Sequence, residues 1–272
     1  MLTELHVWDI ATKYDVAEGA PNRTLLSAFL IMGRQKFRRL PITKIGKIHG
    51  ILTVTDLMRA VKEKGLPEAF KEKIQDYMTP NPKTIVLDKT VVEAAKVMKE
   101  GGFGSLIVVG KVPHKLQGIM TERDILKHCR DEAWKDVSLM DFGEKLEKDM
   151  HKLPSNTPLT EILAYMADNL AFRILTVNEN EKVDGIISAN DITHLIAMER
   201  DEFTMNPNFL KSLTAQFLST KNVLTLPVET NLYEAVEFMN QHNIGGVPLT
   251  KDGEVVGMFT ERLLTYYIAD NY

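Results

Sequence analysis

Gly118-Ile119-Met120-Thr121-Glu122-Arg123-Asp124 is the stretch on which the reading of the fold turns. It has the form of an apolar strand, a hydroxyl residue able to cap a helix, and an acid three positions later in the first helical turn. A single such stretch is a common helix start. Here the order returns as Gly50-Ile51-Leu52-Thr53-Val54-Thr55-Asp56 and as Gly185-Ile186-Ile187-Ser188-Ala189-Asn190-Asp191. It returns once more, with Leu263 in place of the acid, as Gly257-Met258-Phe259-Thr260-Glu261-Arg262-Leu263. Four occurrences in register define a repeat.

Working upstream from each glycine extends the repeat. A short apolar run precedes each one, namely Leu40-Pro41-Ile42, Leu106-Ile107-Val108, Ile174-Leu175-Thr176 and Val247-Pro248-Leu249, and a polar turn separates run from glycine. Before each run lies an amphipathic helical pattern with a late methionine, Met32, Met98, Met166 or Met239, expected in the core rather than on a metal. Thr24, Thr90 and Asn231 stand at the starts of three of these helices, and Thr90 with Glu93 and Asn231 with Glu234 form capping boxes. In the third copy Thr157 is expected to cap, with Pro158 in the first turn. The glycines recur roughly every 70 positions, the length of one helix–strand–strand–helix unit and its linker. Such a unit cannot bury its apolar face alone, so the copies are expected to pair.

The bulk properties agree. The chain has 272 residues, 44% hydrophobic and 26% charged, enough for a substantial core without disulfide or metal support. Its formal charge of −4 disfavours general attraction to nucleic acid or anionic membrane, although Lys62 to Lys73 form a local basic stretch. A single cysteine, Cys129, allows no intrachain disulfide or cysteine zinc site and suits a reducing, cytoplasmic setting. No secretory signal and no run of roughly 18 apolar residues is seen. The seven histidines show no metal spacing, and His49, His114 and His128 are expected at the surface. No nucleophile elbow, phosphate loop or zinc-protease motif occurs, so a non-enzymatic role is expected.

The recurring helix, strand pair and Gly-x-x-Thr/Ser-x-x-Asp order resembles the CBS domain. The whole chain is similar to four CBS repeats in two tandem Bateman modules, a layout like that of the gamma subunit of AMP-activated protein kinase and of stand-alone archaeal CBS proteins. The resemblance implies an α+β fold of four β-α-β-β-α repeats, expected at 1–66, 67–135, 141–200 and 215–272, paired as modules 1–135 and 140–272. Trp134 and Phe142 are expected to anchor the polar linker between modules, and Asn206-Pro207-Asn208 marks a turn in an extra segment between repeats three and four.

The resemblance also implies a ligand. CBS pairs bind adenosine compounds in their clefts, so AMP, ADP or ATP is expected, with no metal required. A first-turn carboxylate can accept both ribose hydroxyls, a role that falls to Asp56, Asp124 and Asp191. Thr53, Thr121, Ser188 and Thr260 take the hydroxyl role beside free backbone N–H groups. Leu263 cannot hold a diol, so the fourth site is expected to be empty or altered. Arg38, Arg39 and Arg173 match positions from which basic residues reach phosphates. Arg123 and Arg262 are further candidates and His242 a weaker one. Ile85, Val86, Lys152, Leu153, Val223 and Leu224 match the strand that packs on adenine. Each has a plainer alternative: the hydroxyls can serve as caps only, the acids can favour the helix dipole, and the arginines can be solvated. The function implied is regulatory energy sensing through an adenine nucleotide, with a regulated protein partner or a homodimer. An S-adenosylmethionine binder and a protein-interaction scaffold with weak or lost nucleotide binding are the alternatives.

Overall fold

The computed structural model describes residues 2–110, 115–206 and 208–272; the expectations for His114 and Pro207 lie outside them. Each repeat has the same parts. Its first helix is α1 (Leu25–Gln35), α3 (Val91–Gly101), α5 (Leu159–Asn169) or α7 (Leu232–Gln241). An antiparallel hairpin follows: β1 (Arg39–Lys44) with β2 (Lys47–Thr53), β5 (Ser105–Val109) with β6 (Leu116–Thr121), β8 (Arg173–Val177) with β9 (Val183–Ser188), and β11 (Gly246–Lys251) with β12 (Glu254–Thr260). The second helix is α2 (Val54–Lys64), α4 (Glu122–His128), α6 (Ala189–Met198) or α8 (Glu261–Asn271). A bulge falls at the same place in every hairpin, between Ile42/Thr43, Val108/Val109, Thr176/Val177 and Leu249/Thr250.

The sequence periodicity explains the burial. On α1 the buried residues are Leu25, Ala28, Phe29, Met32 and Gly33, one face of a 3.6-residue period. Met32, Met98, Met166 and Met239 are all fully buried. Trp134 is fully buried and Phe142 nearly so, as expected of linker anchors. One capping expectation is corrected: the N-cap of α5 is Pro158, not Thr157, and no side chain caps that helix. The bridge from Pro158 to Thr214 and the hydrogen bond from Leu159 N–H to Leu213 O hold the chain there instead.

Each sheet has three strands. A leading segment pairs in parallel with the first hairpin strand: β4 (Thr84–Val86), β7 (Lys152–Pro154) and β10 (Leu226–Pro227), with a single bridge from Gly19 to Ile42 in the first repeat. On the far edge another segment crosses the recurring glycine. A Cβ at Gly50 would stand 2.6 Å from Met78 Sδ, at Gly118 2.5 Å from Thr12 O, at Gly185 2.7 Å from Ser219 Oγ, and at Gly257 2.7 Å from Leu146 Cβ. The glycine recurs because a neighbouring segment lies against it in all four repeats.

In the first repeat the crossing segment is β3 (Thr79–Pro80), which pairs with β2. The second repeat is closed by Thr12, which bridges to Ile119. Two compact units result. The first comprises Met1–Val16, Lys83–Met150 and Leu224–Tyr272; the second comprises Ala17–Pro82 and His151–Val223. Each unit thus joins helices of alternate repeats. In the first, α8 packs on α3 and α4; in the second, α1 packs on α6 and α2 on α5. Each has its own apolar core.

Candidate functional site

The four motif helices start in one way. Thr53, Thr121, Ser188 and Thr260 are N-caps in extended conformation, and each hydroxyl accepts from the backbone N–H three residues on. In three repeats the motif acid reciprocates. Asp56, Asp124 and Asp191 accept with Oδ2 from the N–H of Thr53, Thr121 and Ser188 at 2.8, 2.7 and 2.8 Å. The hydroxyls donate to the same oxygens at 2.8, 2.7 and 2.6 Å.

The acids differ in what becomes of Oδ1. In the first repeat Arg59 donates to Asp56 Oδ1 at 2.9 Å and to Tyr77 O at 3.1 Å. Asp124 and Asp191 carry no such bond, and among the described residues their Oδ1 atoms accept from no donor. Burial pushes the carboxyls of Asp56 and Asp124 above the usual carboxylate range, opposed in both by the cap hydrogen bonds, in Asp56 also by the bonded Arg59, and in Asp124 by the more distant His128 and Lys127. The fourth repeat has a substitute. Thr260 donates its hydroxyl to Asp149 Oδ2 at 2.9 Å, 111 residues away in the chain. Leu263 instead lines a cavity of about 260 Å³ with Val137, Phe142, Tyr266 and Tyr267.

Strand register decides which motifs have a cation at hand. Arg39 pairs across the sheet with Thr53, and Arg173 with Ser188. Ser105 faces Thr121 and Gly246 faces Thr260 in the other two. Directly opposed side chains lie roughly 5 Å apart at Cβ. Arg38, Arg39 and Arg173 are all half-buried, and Arg38 lies over the Phe172 ring at 5.4 Å.

Arg123 and Arg262 have a different setting from the solvated one weighed in the sequence. Arg123 Nε lies 3.1 Å from Glu261 Oε2 and Arg262 Nε 3.2 Å from Glu122 Oε1, crossing between the second and fourth repeats. The glutamates are 2% exposed and the arginines 27%. The His242 ring packs against Phe238 with centroids 4.4 Å apart and planes tilted by 49°.

The leading strands put Ile85 in the core, leave Val86 partly exposed, and half-bury Leu153 beside the exposed Lys152. Val223 and Leu224 lie just before the fourth leading strand. The fourth leading strand begins at Leu226, which pairs with Leu249 as Ile85 pairs with Val108. Val223 belongs to the other compact unit. The segment that covers Gly185 runs on through Thr220, which bridges to Ile186.

Four participants carry roles that the motif alone does not give: Arg59, Glu122, Glu261 and Asp149. Arg59 had a readable signal, three positions from Asp56 on one helix face. The crossed glutamates and Asp149 had none, because their partners are far away in the chain. Among the described residues no group of His, Cys, Asp and Glu is placed to hold a metal, and no helix is long and apolar enough to cross a membrane.

The family model described as the CBS domain matches residues 9–63, 74–131, 143–198 and 215–270. Protein MJ1225 of Methanocaldococcus jannaschii is 23% identical over 97% of this chain and 99% of its own. Its crystal structure, described as that of a proposed archaeal homologue of g-AMPK, superposes with a TM-score of 0.83 at 21% identity, covering 97% of this chain and 100% of that one. A 33.4 kDa protein from a ribosomal RNA operon of Thermofilum pendens is 23% identical over 88% of this chain and 83% of its own. A conserved protein of Pyrococcus horikoshii has a TM-score of 0.65 at 18% identity, with 97% and 100% covered.

Proposed function

The chain belongs to the CBS domain family, in four copies, and on that premise we propose that it is a non-catalytic regulator that binds adenine nucleotides, AMP, ADP or ATP, and reports their level to a partner. One observation carries the reading. Asp124 and Asp191 are anchored through one oxygen at the first turn of a helix and keep the other available, the state a carboxylate needs to accept from a ribose diol. Such charge-assisted bonds contribute about 1.5–3 kcal/mol each.

The third repeat is the most complete candidate. Ser188, Asp191 and Arg173 supply hydroxyl, open carboxylate and cation on adjoining strand and helix ends. That set suits a ribose carrying phosphate. The second repeat has Ser105 where the third has Arg173, which favours an adenosine ligand without phosphate, such as S-adenosylmethionine, at that position. In the first repeat a ligand must displace Arg59 from Asp56 and from its hydrogen bond to Tyr77 O; its side chain is 48% exposed. A nucleotide signals only if it favours one arrangement of the protein over another.

Calorimetric titration of the nucleotide-stripped protein with AMP, ADP, ATP and S-adenosylmethionine tests this. Nucleotide binding is expected, weakened about tenfold or more by Asp191→Ala, as for the loss of one or two charge-assisted bonds. Arg173→Ala should penalise ATP more than S-adenosylmethionine, which carries no phosphate. No heat with any of the four ligands, from folded protein, would leave the scaffold reading.

A further inference from the structure

We propose that Asp149 takes over in the fourth repeat the role of the motif acid that Leu263 has replaced, making that repeat a fourth site for the vicinal diol of a ribose. This rests on the nucleotide-binding reading above and extends it to a repeat whose own sequence lacks the acid.

The geometry matches the other repeats at the decisive contact. The motif hydroxyl donates to a carboxylate Oδ2 at 2.8, 2.7 and 2.6 Å in the first three repeats and at 2.9 Å in the fourth, where the carboxylate is Asp149. As in Asp124 and Asp191, the other oxygen of Asp149 accepts from no donor among the described residues. Thr260 already caps Leu263 N–H at 3.3 Å, so α8 does not need Asp149 as a cap. The residue is half-buried at the positive end of that helix, where a carboxylate is favoured.

The covering segment explains how the acid arrives. In the first repeat the segment over Gly50 continues as an extended strand, Thr79–Pro80. In the fourth, Leu146 lies on Gly257 within the helical turn Lys145–Lys148, and Asp149 is the residue that ends the turn. The contact that demands glycine at 257 therefore also fixes the turn that delivers Asp149 to Thr260. Leu263 is released to apolar neighbours.

Equilibrium dialysis of the full chain with labelled AMP and labelled adenosine counts the sites. Asp149→Asn, which keeps size and shape, should bind one equivalent fewer than wild type. Asp149→Asn with Leu263→Asp should regain it, since the acid is restored at its motif position; this second variant also guards against misfolding. Asp191→Asn runs in parallel and should lose a different equivalent. An unchanged count in Asp149→Asn overturns the proposal while leaving the nucleotide reading intact. A higher count overturns it too, and identifies Asp149 as a plug. Failure of wild type to bind either probe removes both readings together.

Discussion

Repeats two and four meet through charge, and repeats one and three through close packing. In the first unit, Glu122-Arg123 and Glu261-Arg262 open α4 and α8 and cross-pair over a seam with nearly buried carboxylates. The same two positions in the second unit are Val54-Thr55 and Ala189-Asn190, and both leading residues are buried. There, α1 and α6 come so near that a Cβ on Gly33 would lie 2.5 Å from both Thr193 O and Ala197 Cβ. At that contact the polar links go to backbone, His194 Nδ1 to Gly33 O at 2.9 Å and Asn190 Nδ2 to Lys36 O at 3.0 Å, and a charged link, Lys62 to Asp168 between α2 and α5, is exposed. One repeat architecture thus supports two kinds of seam. Buried ion pairs specify a partner surface at a desolvation cost, whereas a glycine contact specifies by shape.

The largest expected effect comes from breaking the ionic seam. Glu261→Ala leaves Arg123 without the carboxylate 3.1 Å away, and removing one member of a buried pair costs about 3–5 kcal/mol. Arg123 keeps some contact with water, so about 2–3 kcal/mol is expected here, read from urea unfolding. Replacing all four charges by the second unit's residues, Glu122→Val, Arg123→Thr, Glu261→Ala and Arg262→Asn, should cost less than Glu261→Ala alone, because no charge is stranded. A larger loss in the fourfold variant would mean that the seam contributes net stability, contrary to the comparison drawn here.

The packed seam breaks in the opposite way, by addition. In an exposed helix interior Gly→Ala gains about 1 kcal/mol. At Gly33 the added methyl meets a backbone oxygen and another Cβ, and neither can swing aside. Overpacking of this kind costs about 1–3 kcal/mol, so Gly33→Ala should destabilise by about 1–2 kcal/mol net. A stabilised Gly33→Ala protein would show that the helices part freely and that shape is not what joins these repeats.

Much of this architecture was legible in the chain because it is local. The capping pairs Thr90/Glu93, Thr121/Asp124 and Ser188/Asp191 sit three residues apart, and the core methionines follow helical period. The hairpins follow from short apolar runs broken by polar turns. What stayed hidden is non-local. Thr12 covering Gly118, Leu146 covering Gly257 and the Arg123–Glu261 pair join residues over 100 positions apart, and no periodicity encodes them. The candidate site divides along the same line. Its acids and hydroxyls are a local motif, while Asp149, in trans to its helix, is a product of folding.

The smallest effect concerns the acids themselves, and it sets the two units against each other once more. Burial raises the Asp124 carboxyl above its ordinary 3.8, with cap hydrogen bonds and the more distant His128 and Lys127 side chains opposing. A carboxyl that holds its proton more tightly when folded supports the fold at acid pH, and that support is lost as pH rises from the ordinary value through the raised one. At neutral pH the ligand-free protein therefore carries an unfavourable charge, which Asp124→Asn removes while keeping an oxygen for Thr121 N–H. Thermal midpoints at pH 7.5 should rise in Asp124→Asn and converge with wild type near pH 4. Asp56 is raised by the same burial, but Arg59 also opposes the shift. Asp56→Asn gives up that attraction and should gain less, or lose. Stability traded for an open carboxylate is what a binding site asks of its residues. If Asp56→Asn were the more stabilised of the two, Arg59 would contribute little as a counter-charge, and the first repeat would stand as open to ligand as the second.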